Sequence, residues 1–326
     1  MNAAGQAAAK PPGIGSENIT LALKSTIGLA ILLLIGTASP AFAQTQNDNS
    51  RQIVLDSFTN ARPPKTETAG GSRTRPPAIR KRPTYRRASG TPSLAARPGV
   101  NEQLGITVWR LRPSKPGDSG ARLLVMENSQ SSQWTPERIE VETPLAVGDR
   151  VRISVESPRT GYLYVVDREQ YADGTFGDPY LIFPTSRTRG GDNRVRPGKL
   201  IDIPAQEDNP SYFTLLPNPG RSDTVAEVLS FIVTPAPLAN LAVTDKPLKL
   251  SPAEVAKWEQ NWSTQVERFE MNDGAGRPWT NEEKAAGARA GSRILTQEEP
   301  APQTVYRIAT KGRNAILVTV PLRYGR

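Results

Sequence analysis

The segment from 167 to 178 holds the densest group of potential catalytic or metal-binding side chains in the sequence: Asp167, Glu169, Asp173 and Asp178. Carboxylate oxygens are the ligands that calcium prefers, and two carboxylates suffice for acid–base hydrolysis. The spacing departs from an EF-hand loop, because the third position is glutamate, the fifth is tyrosine and the twelfth is aspartate. We therefore expect no bound metal, with calcium as the alternative, and interpret the segment as a long connection in which Asp167 pairs with an arginine.

A second polar segment contains four arginines, Arg187, Arg189, Arg194 and Arg196, interspersed with glycine. Guanidinium groups and exposed glycine amides suit phosphate or carboxylate ligands, so these arginines are candidate ligand-binding residues. The alternative is a solvated loop that pairs with the acidic segment. A dinucleotide site is excluded, because no Gly-x-Gly-x-x-Gly sequence links a strand to a helix here.

Histidine and cysteine are absent from all 326 residues. This composition excludes the catalytic triads and dyads that use either residue, zinc bound by histidine or thiolate, disulfide bonds, and lipid attachment through an N-terminal cysteine. Hydrolysis by a carboxylate pair, a Ser-Lys dyad or a tyrosine stays open, although no sequence motif marks any of them. We therefore predict a noncatalytic protein that needs no cofactor.

The N-terminal region has the order of a secretory signal: Lys24, an apolar run at 27–35, and a small-x-small triplet that ends at Ala43. The apolar run would form a helix of roughly 14 Å, well short of the ~30 Å hydrocarbon core of a bilayer. We predict a signal peptide at 1–43, cleaved before Gln44, and export to the periplasm, the cell envelope or the medium without a transmembrane anchor after processing. An uncleaved hydrophobic N-terminus is the alternative.

Most of the net charge of +9 lies in the segment 44–104, which precedes the folded part. The clustered basic residues are Arg73, Arg75, Arg80, Lys81, Arg82, Arg86 and Arg87. Proline and glycine separate them and few large apolar residues accompany them, which predicts a disordered tail. The tail is either a solvated linker or a tether to anionic envelope surfaces, where each basic residue contributes roughly 1 kcal/mol. Because export is expected, nucleic acid is the less favoured partner.

The remaining residues, 105–326, have mostly the period-two pattern of β-strands. In the clearest strand, Val151, Ile153 and Val155 alternate with polar neighbours, which predicts one buried and one wet face. The run at 162–166 follows a short turn and is predicted to pair with it as an antiparallel hairpin. Further short runs continue to final strands at 304–320, so we predict an all-β, mainly antiparallel β-sandwich, with an immunoglobulin-like topology as one possibility.

One or two helices are predicted to follow the central strands. Ser251 begins a capping box, and an apolar stripe continues through Val255, Trp258, Trp262, Val266 and Phe269, which predicts a helix near 252–271. The stripe is expected to pack on a sheet, with a sugar-stacking platform as the alternative. A second, shorter helix is predicted to begin at Thr280.

The sequence Gly-Asp-Arg-Val at 148–151, followed by Gly-Tyr-Leu-Tyr-Val-Val-Asp at 161–167 and Tyr-Leu-Ile-Phe-Pro-Thr at 180–185, resembles the bacterial domain-of-unknown-function family 4384. The resemblance is densest over 143–233. It implies a compact β domain of secreted or multidomain bacterial proteins, with no assigned activity and no catalytic residues to carry over.

Three functions are compatible with this sequence. The first is a noncatalytic interaction or structural module of the cell envelope, whose partner is an envelope protein or an anionic polymer or lipid surface. The second is a module that binds glycan or cell-wall polymer through exposed aromatic residues and the arginine segment. The third is a hydrolase that uses a pair among the four carboxylates of 167–178, which requires two of them to face one cleft and at least one shifted pKa.

Overall fold

The computed structural model describes residues 56, 58–65, 82–94, 101–127, 130–288, 293–310 and 314–325. The predicted signal peptide with its cleavage site, Ala43 and Gln44, lies outside these residues, as do Arg73, Arg75, Arg80 and Lys81 of the basic cluster. Within the described ranges, no helix is long and apolar enough to cross a membrane.

The described residues form two antiparallel sheets, one of nine strands and one of six. The nine-stranded sheet consists of β1 (Tyr85–Arg87), β2 (Asn101–Pro113), β3 (Leu123–Glu127), β4 (Gln130–Ile139), β5 (Arg150–Glu156), β9 (Leu200–Ile203), β10 (Phe213–Thr214), β13 (Val266–Met271) and β14 (Thr304–Ala309). The six-stranded sheet consists of β6 (Gly161–Tyr171), β7 (Tyr180–Phe183), β8 (Arg194–Val195), β11 (Thr224–Thr234), β12 (Leu248–Lys249) and β15 (Ile316–Arg323).

Hydrogen bonding orders the larger sheet β1-β13-β14-β2-β4-β3, with β5 joined to β2, β9 and β10. The smaller sheet is ordered β12-β7-β6-β11-β15, with β8 on β6. The predicted all-β sandwich is therefore confirmed. Immunoglobulin domains have about seven to nine strands, and the larger sheet alone has nine, so the arrangement is more elaborate than that topology.

The main hydrophobic core fills the space between the two sheets. Val151, Ile153 and Val155 of β5 face Leu163 and Val165 of β6 across it, together with apolar residues of eight other strands and loops. Each such side chain contributes about 1.5–3 kcal/mol by leaving water, so this core accounts for the alternating pattern in the sequence.

The polar face of β5, predicted to be wet, is buried. Arg152 is fully enclosed and Ser154 is 4% exposed. The prediction was wrong because residues distant in the sequence cover this face: the indole of Trp279 lies 4.8 Å from the Arg152 guanidinium, and Asp202 forms an ion pair with it.

The predicted hairpin between β5 and β6 is also wrong. β5 pairs with β2, β9 and β10, whereas β6 pairs with β11, β7 and β8, so the turn at 157–160 carries the chain from one sheet to the other. Gly161 begins β6 where a Cβ atom would lie 2.4 Å from the Thr234 carbonyl oxygen of β11, so the close approach of these strands requires glycine.

Two α-helices are present among the described residues of the C-terminal half. Helix α1 (Pro252–Trp262) places Val255 and Trp258 on the outer face of the six-stranded sheet. This packing supports the structural interpretation of the tryptophan stripe; Trp258 and Trp262 stack on each other at 5.9 Å. Helix α2 (Asn281–Gly287) begins at the capping box that Thr280 and Glu283 form reciprocally.

The predicted helix near 252–271 is wrong beyond Trp262. Ser263 is extended, and Val266 and Phe269 belong to β13, which pairs with β1 and β14. The spacing of these two residues is compatible with the apolar stripe of a helix and also with a buried strand. Pairing with distant strands determines that they form a strand. The Ser251 side chain makes no capping hydrogen bond, so the capping box predicted there does not form.

The predicted boundary between a disordered tail at 44–104 and the folded domain is too late. Phe58, Arg62 and Tyr85 are buried in the domain, and β1 adds Arg86 and Arg87 to the edge of the larger sheet. These two arginines pair with Glu140 and Glu267, while the exposed Arg82 lies 3.3 Å from Asp56. Glu140 and Glu267, which lie far from β1 in the sequence, therefore help to order this strand.

Candidate functional site

A cavity of about 690 Å³ opens at one end of the sandwich, where the two sheets separate. The larger sheet contributes Val151 and Ile153 of β5 and the strand β10. The smaller sheet contributes residues of β6, β7, β11 and β15, and the connection between β6 and β7 forms part of the rim. This cavity is the candidate functional site.

Strand β6 places two of the predicted carboxylates in the cavity. Leu163 and Val165 face the core between the sheets, and Asp167 and Glu169 occupy the next positions on the same face, because side chains two residues apart point to one side of a strand. The sequence pattern predicted that this strand ends at 166 and that the carboxylates lie in a loop. The structure corrects this: β6 continues to Tyr171.

Strand β11 adds a third carboxylate from the opposite position. Glu227 is paired with Glu169 across the two strands, and Leu229 is paired with Asp167. Directly opposed residues in antiparallel strands have Cβ atoms about 4.5–5.5 Å apart, so the three carboxylates form one acidic group on the cavity wall. We call Asp167, Glu169 and Glu227 the acidic group.

The hydrogen bonds of the acidic group are incomplete. Glu169 accepts hydrogen bonds from the Tyr171 hydroxyl at 2.9 Å and from the backbone amide of Asn218. Glu227 accepts one from the Tyr324 hydroxyl at 2.8 Å. Asp167 is half-buried as a residue, but its Oδ1 atom is shielded from solvent and has no hydrogen-bond partner among the described residues.

Burial and nearby negative charges raise the pKa values of Asp167 and Glu227. Loss of hydration raises the pKa of Asp167 to about 8, and the nearby charges of Glu227 and Glu169 add to the effect. Burial also raises the pKa of Glu227, which the Tyr324 hydrogen bond partly offsets. With a pKa of about 8, Asp167 is mainly a neutral acid at pH 7.

The remaining wall and the rim are largely apolar and aromatic. Phe176, Tyr180 and Leu216 line the opening and are 43%, 40% and 65% exposed. The Arg168 guanidinium lies 4.0 Å from the centre of the Phe176 ring, but its ion pair is with Glu259 of α1. Apolar walls with a few polar groups are typical of small-ligand pockets.

The other two predicted carboxylates have different environments. Asp178 lines the cavity and pairs with Lys249, whereas Asp173 lies outside it and forms hydrogen bonds with Thr175 and Arg221. Among the described residues, no group of three or more acidic side chains has an arrangement that could hold a metal ion. The predicted pairing of Asp167 with an arginine is not seen among these residues.

The four candidate arginines do not converge on the cavity. Arg194 and Arg189 pair with Asp192 inside their own segment, and Arg187 and Arg196 are exposed. The exposure of Arg187 and Arg196 fits the alternative of a solvated loop, but no pairing of the four arginines with the acidic segment is seen among the described residues, because Asp192 forms the ion pairs of Arg189 and Arg194.

The strands that build the cavity also carry the motif noted in the sequence. Gly148-Asp149 precedes β5, and the Gly-Tyr-Leu-Tyr run forms the first half of β6. Residues 144–230 match the model of the domain-of-unknown-function family DUF4384. The resemblance stated from the sequence is confirmed over these residues. All residues that line the cavity except Pro252 and Leu322 belong to the DUF4384 segment. No curated protein and no solved structure matches the chain.

Glu227 and the aromatic rim were not predicted from the sequence. The alternation of β6 contained a signal for the cavity, because Asp167 and Glu169 continue the phase of Leu163 and Val165. Glu227 lies in an apolar run whose partner strand was unknown, so its position opposite Glu169 had no sequence signal.

Proposed function

We propose that the protein is an exported, noncatalytic binding module of the cell envelope and that the cavity in the DUF4384 segment is its ligand site. The observation that carries the proposal is the Asp167 carboxylate, which continues an apolar core row and keeps one shielded oxygen without a partner among the described residues. Burying an unpartnered polar group costs about 1–3 kcal/mol. Such a cost is typical of sites kept for function. Export is supported by the N-terminal sequence alone.

The experiment is a retention assay of the mature protein on peptidoglycan, envelope membranes and soluble envelope proteins. Thr214→Trp fills the cavity mouth, because Thr214 is exposed in β10 and lines the cavity. Thr319→Trp is the matched control, since Thr319 is an exposed threonine in β15 that does not line the cavity. We expect loss of retention only for Thr214→Trp. Equal retention of both variants would refute the cavity as the binding site.

A second part of the proposal concerns the basic cluster. Because Arg82, Arg86 and Arg87 have acidic neighbours in the domain, tethering to an anionic surface depends on Arg73, Arg75, Arg80 and Lys81. Replacing these four by glutamine in the full mature chain is expected to weaken binding to phosphatidylglycerol vesicles at least about tenfold at low salt. The wild-type binding is expected to disappear with added salt. If the variant bound the vesicles as tightly as the wild type, the segment would be interpreted as a linker and not as a tether.

Hydrolysis by a carboxylate pair is the second candidate, and the raised pKa of Asp167 beside Glu169 favours it. A protonated and an ionised carboxyl group in one cleft are the minimum for acid–base cleavage of a glycosidic bond. Release of reducing ends from isolated peptidoglycan or envelope polysaccharide, abolished by Asp167→Asn, would establish this activity. Retention of the uncleaved polymer supports binding without catalysis.

A further inference from the structure

Buried acidic side chains outside the cavity have basic partners. Glu156 receives both ends of the Arg62 guanidinium at 2.7 Å, Asp202 lies 3.2 Å from Arg152, and Glu283 pairs with Arg138. All six of these side chains are no more than 4% exposed. The fold thus supplies a cation wherever it encloses a carboxylate on the outer face of the larger sheet.

The acidic group of the cavity is the exception. Among the described residues, none of Asp167, Glu169 and Glu227 forms an ion pair; tyrosine hydroxyls and a backbone amide are the contacts of the two glutamates. The arginine that lines the cavity, Arg168, is already paired with Glu259. The described residues therefore supply no positive charge that complements this group.

The shape and lining of the cavity restrict the kind of cation. Val151, Ile153 and Leu229 form apolar wall beside the carboxylates, and Phe176 and Tyr180 stand at the rim. Calcium needs six to eight oxygen ligands, which this wall does not offer in the part of the chain that the structure describes. An apolar stem can contact the walls, and an aromatic rim attracts a cation that passes over it.

We propose that the cavity binds an organic cation on an apolar stem, an alkylammonium or guanidinium group such as the side-chain end of lysine or arginine, with its charge on Asp167 and Glu227. This inference rests on the proposed function, because it names the ligand class of the same cavity. The cation donates hydrogen bonds to the carboxylate of Asp167, which lines the cavity, and the stem lies against the apolar wall.

Binding of a cation is coupled to one proton. The groups that face Asp167 are Glu169 on β6, Glu227 on β11, Tyr180 on β7 and Tyr324 after β15, and none of them is positively charged. The neutral carboxyl of the free cavity gives its proton to the solvent when the cation arrives, so one O–H bond breaks and an ion pair forms. The alkylammonium keeps its own protons, because its pKa is about 10.4.

The test is isothermal titration calorimetry of the mature protein at pH 7 with three amino-acid amides: N-acetyl-lysine amide, N-acetyl-arginine amide and the neutral N-acetyl-norleucine amide. We expect the two cationic probes to bind at least about tenfold more tightly than the neutral one, the effect of one charge-assisted hydrogen bond. Repeating the titration in buffers with different ionisation enthalpies should reveal release of up to one proton per bound cation. n-Butylamine, the lysine side chain without its backbone, distinguishes a free amine from a residue of a peptide as the source.

Asp167→Asn is expected to abolish both the preference for the cation and the proton release. Asp173→Asn is the control, because Asp173 belongs to the same segment but lies outside the cavity, and it should leave both unchanged. Equal affinity for the norleucine amide, a preference that survives Asp167→Asn, or no binding of any cationic probe would overturn the inference. These results test only the ligand class. The retention assay with Thr214→Trp tests separately whether the cavity is a binding site.

Discussion

Two regions of the molecule enclose acidic side chains in opposite ways. On the outer face of the nine-stranded sheet, Arg62 binds Glu156 with two hydrogen bonds of 2.7 Å and donates three more to backbone carbonyls. In the cavity between the sheets, Asp167 has a shielded oxygen with no partner among the described residues. The difference indicates that charges on the outer face hold the chain together, and it is the basis of the proposal that the acidic group binds a ligand.

Removing a charged side chain is expected to change the free energy of unfolding in opposite directions in the two regions. Removing one partner of a buried ion pair leaves an isolated charge and destabilises a protein by about 3–5 kcal/mol. Removing an isolated charge relieves the cost of its lost hydration and stabilises the protein. Substitutions in the two regions therefore test the comparison directly, and the free energy of unfolding measures both.

The largest effect is expected for Arg62→Met on the outer face. The variant leaves Glu156 buried with the Gly198 amide as its remaining hydrogen-bond donor among the described residues. We expect the free energy of unfolding to fall by about 3–5 kcal/mol in urea titrations followed by circular dichroism. Because Arg62 also holds the carbonyls of Thr296, Glu299 and Pro300, the segment before β14 should become more susceptible to proteolysis.

Lys65→Met is the matched control for this prediction. Lys65 and Glu298 lie 3.5 Å apart, but their side chains are 65% and 70% exposed. A change of no more than about 0.5 kcal/mol is expected there. A similar decrease in the free energy of unfolding for both variants would show that burial of the Arg62–Glu156 pair does not increase its contribution to stability.

The next largest effect has the opposite sign: Asp167→Asn in the cavity should stabilise the protein. The folded-state pKa of Asp167, about 8, is above its usual value of 3.8. The folded protein then binds more protons than the unfolded chain between these values, so wild-type stability falls as the pH rises from about 4 to about 8. The variant avoids this loss and should gain about 2–4 kcal/mol at pH 7 and little at pH 4.

Urea titrations of both proteins at several pH values between 4 and 8 measure this difference. A constant difference across the range would show that Asp167 does not titrate there, and a less stable variant at pH 7 would contradict the absence of a cationic partner. Asp202→Asn provides the contrast: the same chemical change in the buried pair with Arg152 is expected to destabilise the protein.

A smaller gain is expected from Glu227→Gln. The substitution removes the charge that faces Asp167 and retains an oxygen that can accept the Tyr324 hydrogen bond. Stability should rise by about 1 kcal/mol near neutral pH, and the fall of stability with pH should end at a lower pH than in the wild type, because the pKa of Asp167 decreases. Unfolding titrations of the variant across the same pH range measure both changes; an unchanged pH dependence would mean that Glu227 does not act on Asp167.

The sequence predicted the sandwich from local patterns. The alternation at Val151, Ile153 and Val155 predicted a strand, and the capping residues Thr280 and Glu283 marked the start of a helix. Both features were predictable because each pattern lies within a few residues. The sheet to which each strand belongs was not predictable in this way, since the partners of β5 lie at 105–111, 200–203 and 213–214. A short turn after β5 resembles a hairpin whether or not the next strand joins the same sheet.

The candidate site was predictable only in part for the same reason. Asp167 and Glu169 were identified as chemically interesting, but their position on the cavity wall depends on β6 extending to Tyr171 and on Glu227 of β11 lying opposite. The partner of Glu156 was hidden too: Arg62 is 94 residues away in a segment whose composition predicts disorder. The composition of a segment predicts how it behaves in isolation. It does not show that a distant residue of opposite charge, such as Glu156, binds the segment in the folded protein.

The smallest effect is expected for Asp192→Asn, which tests the comparison at the surface. Asp192 pairs with Arg194 at 2.8 Å, and the two side chains are 37% and 73% exposed. Its hydrogen bond with Arg194 holds the pKa of Asp192 below the usual value, so the pair stabilises the protein above about pH 4 and ceases to do so as the carboxyl is protonated at lower pH. Because water screens both charges, the substitution should lower the free energy of unfolding at pH 7 by no more than about 0.5 kcal/mol, and 1 M salt should remove most of that difference. A loss of several kcal/mol would mean that an exposed ion pair stabilises the protein as much as the buried pairs of the outer face. Burial would then not explain the difference between those pairs and the acidic group.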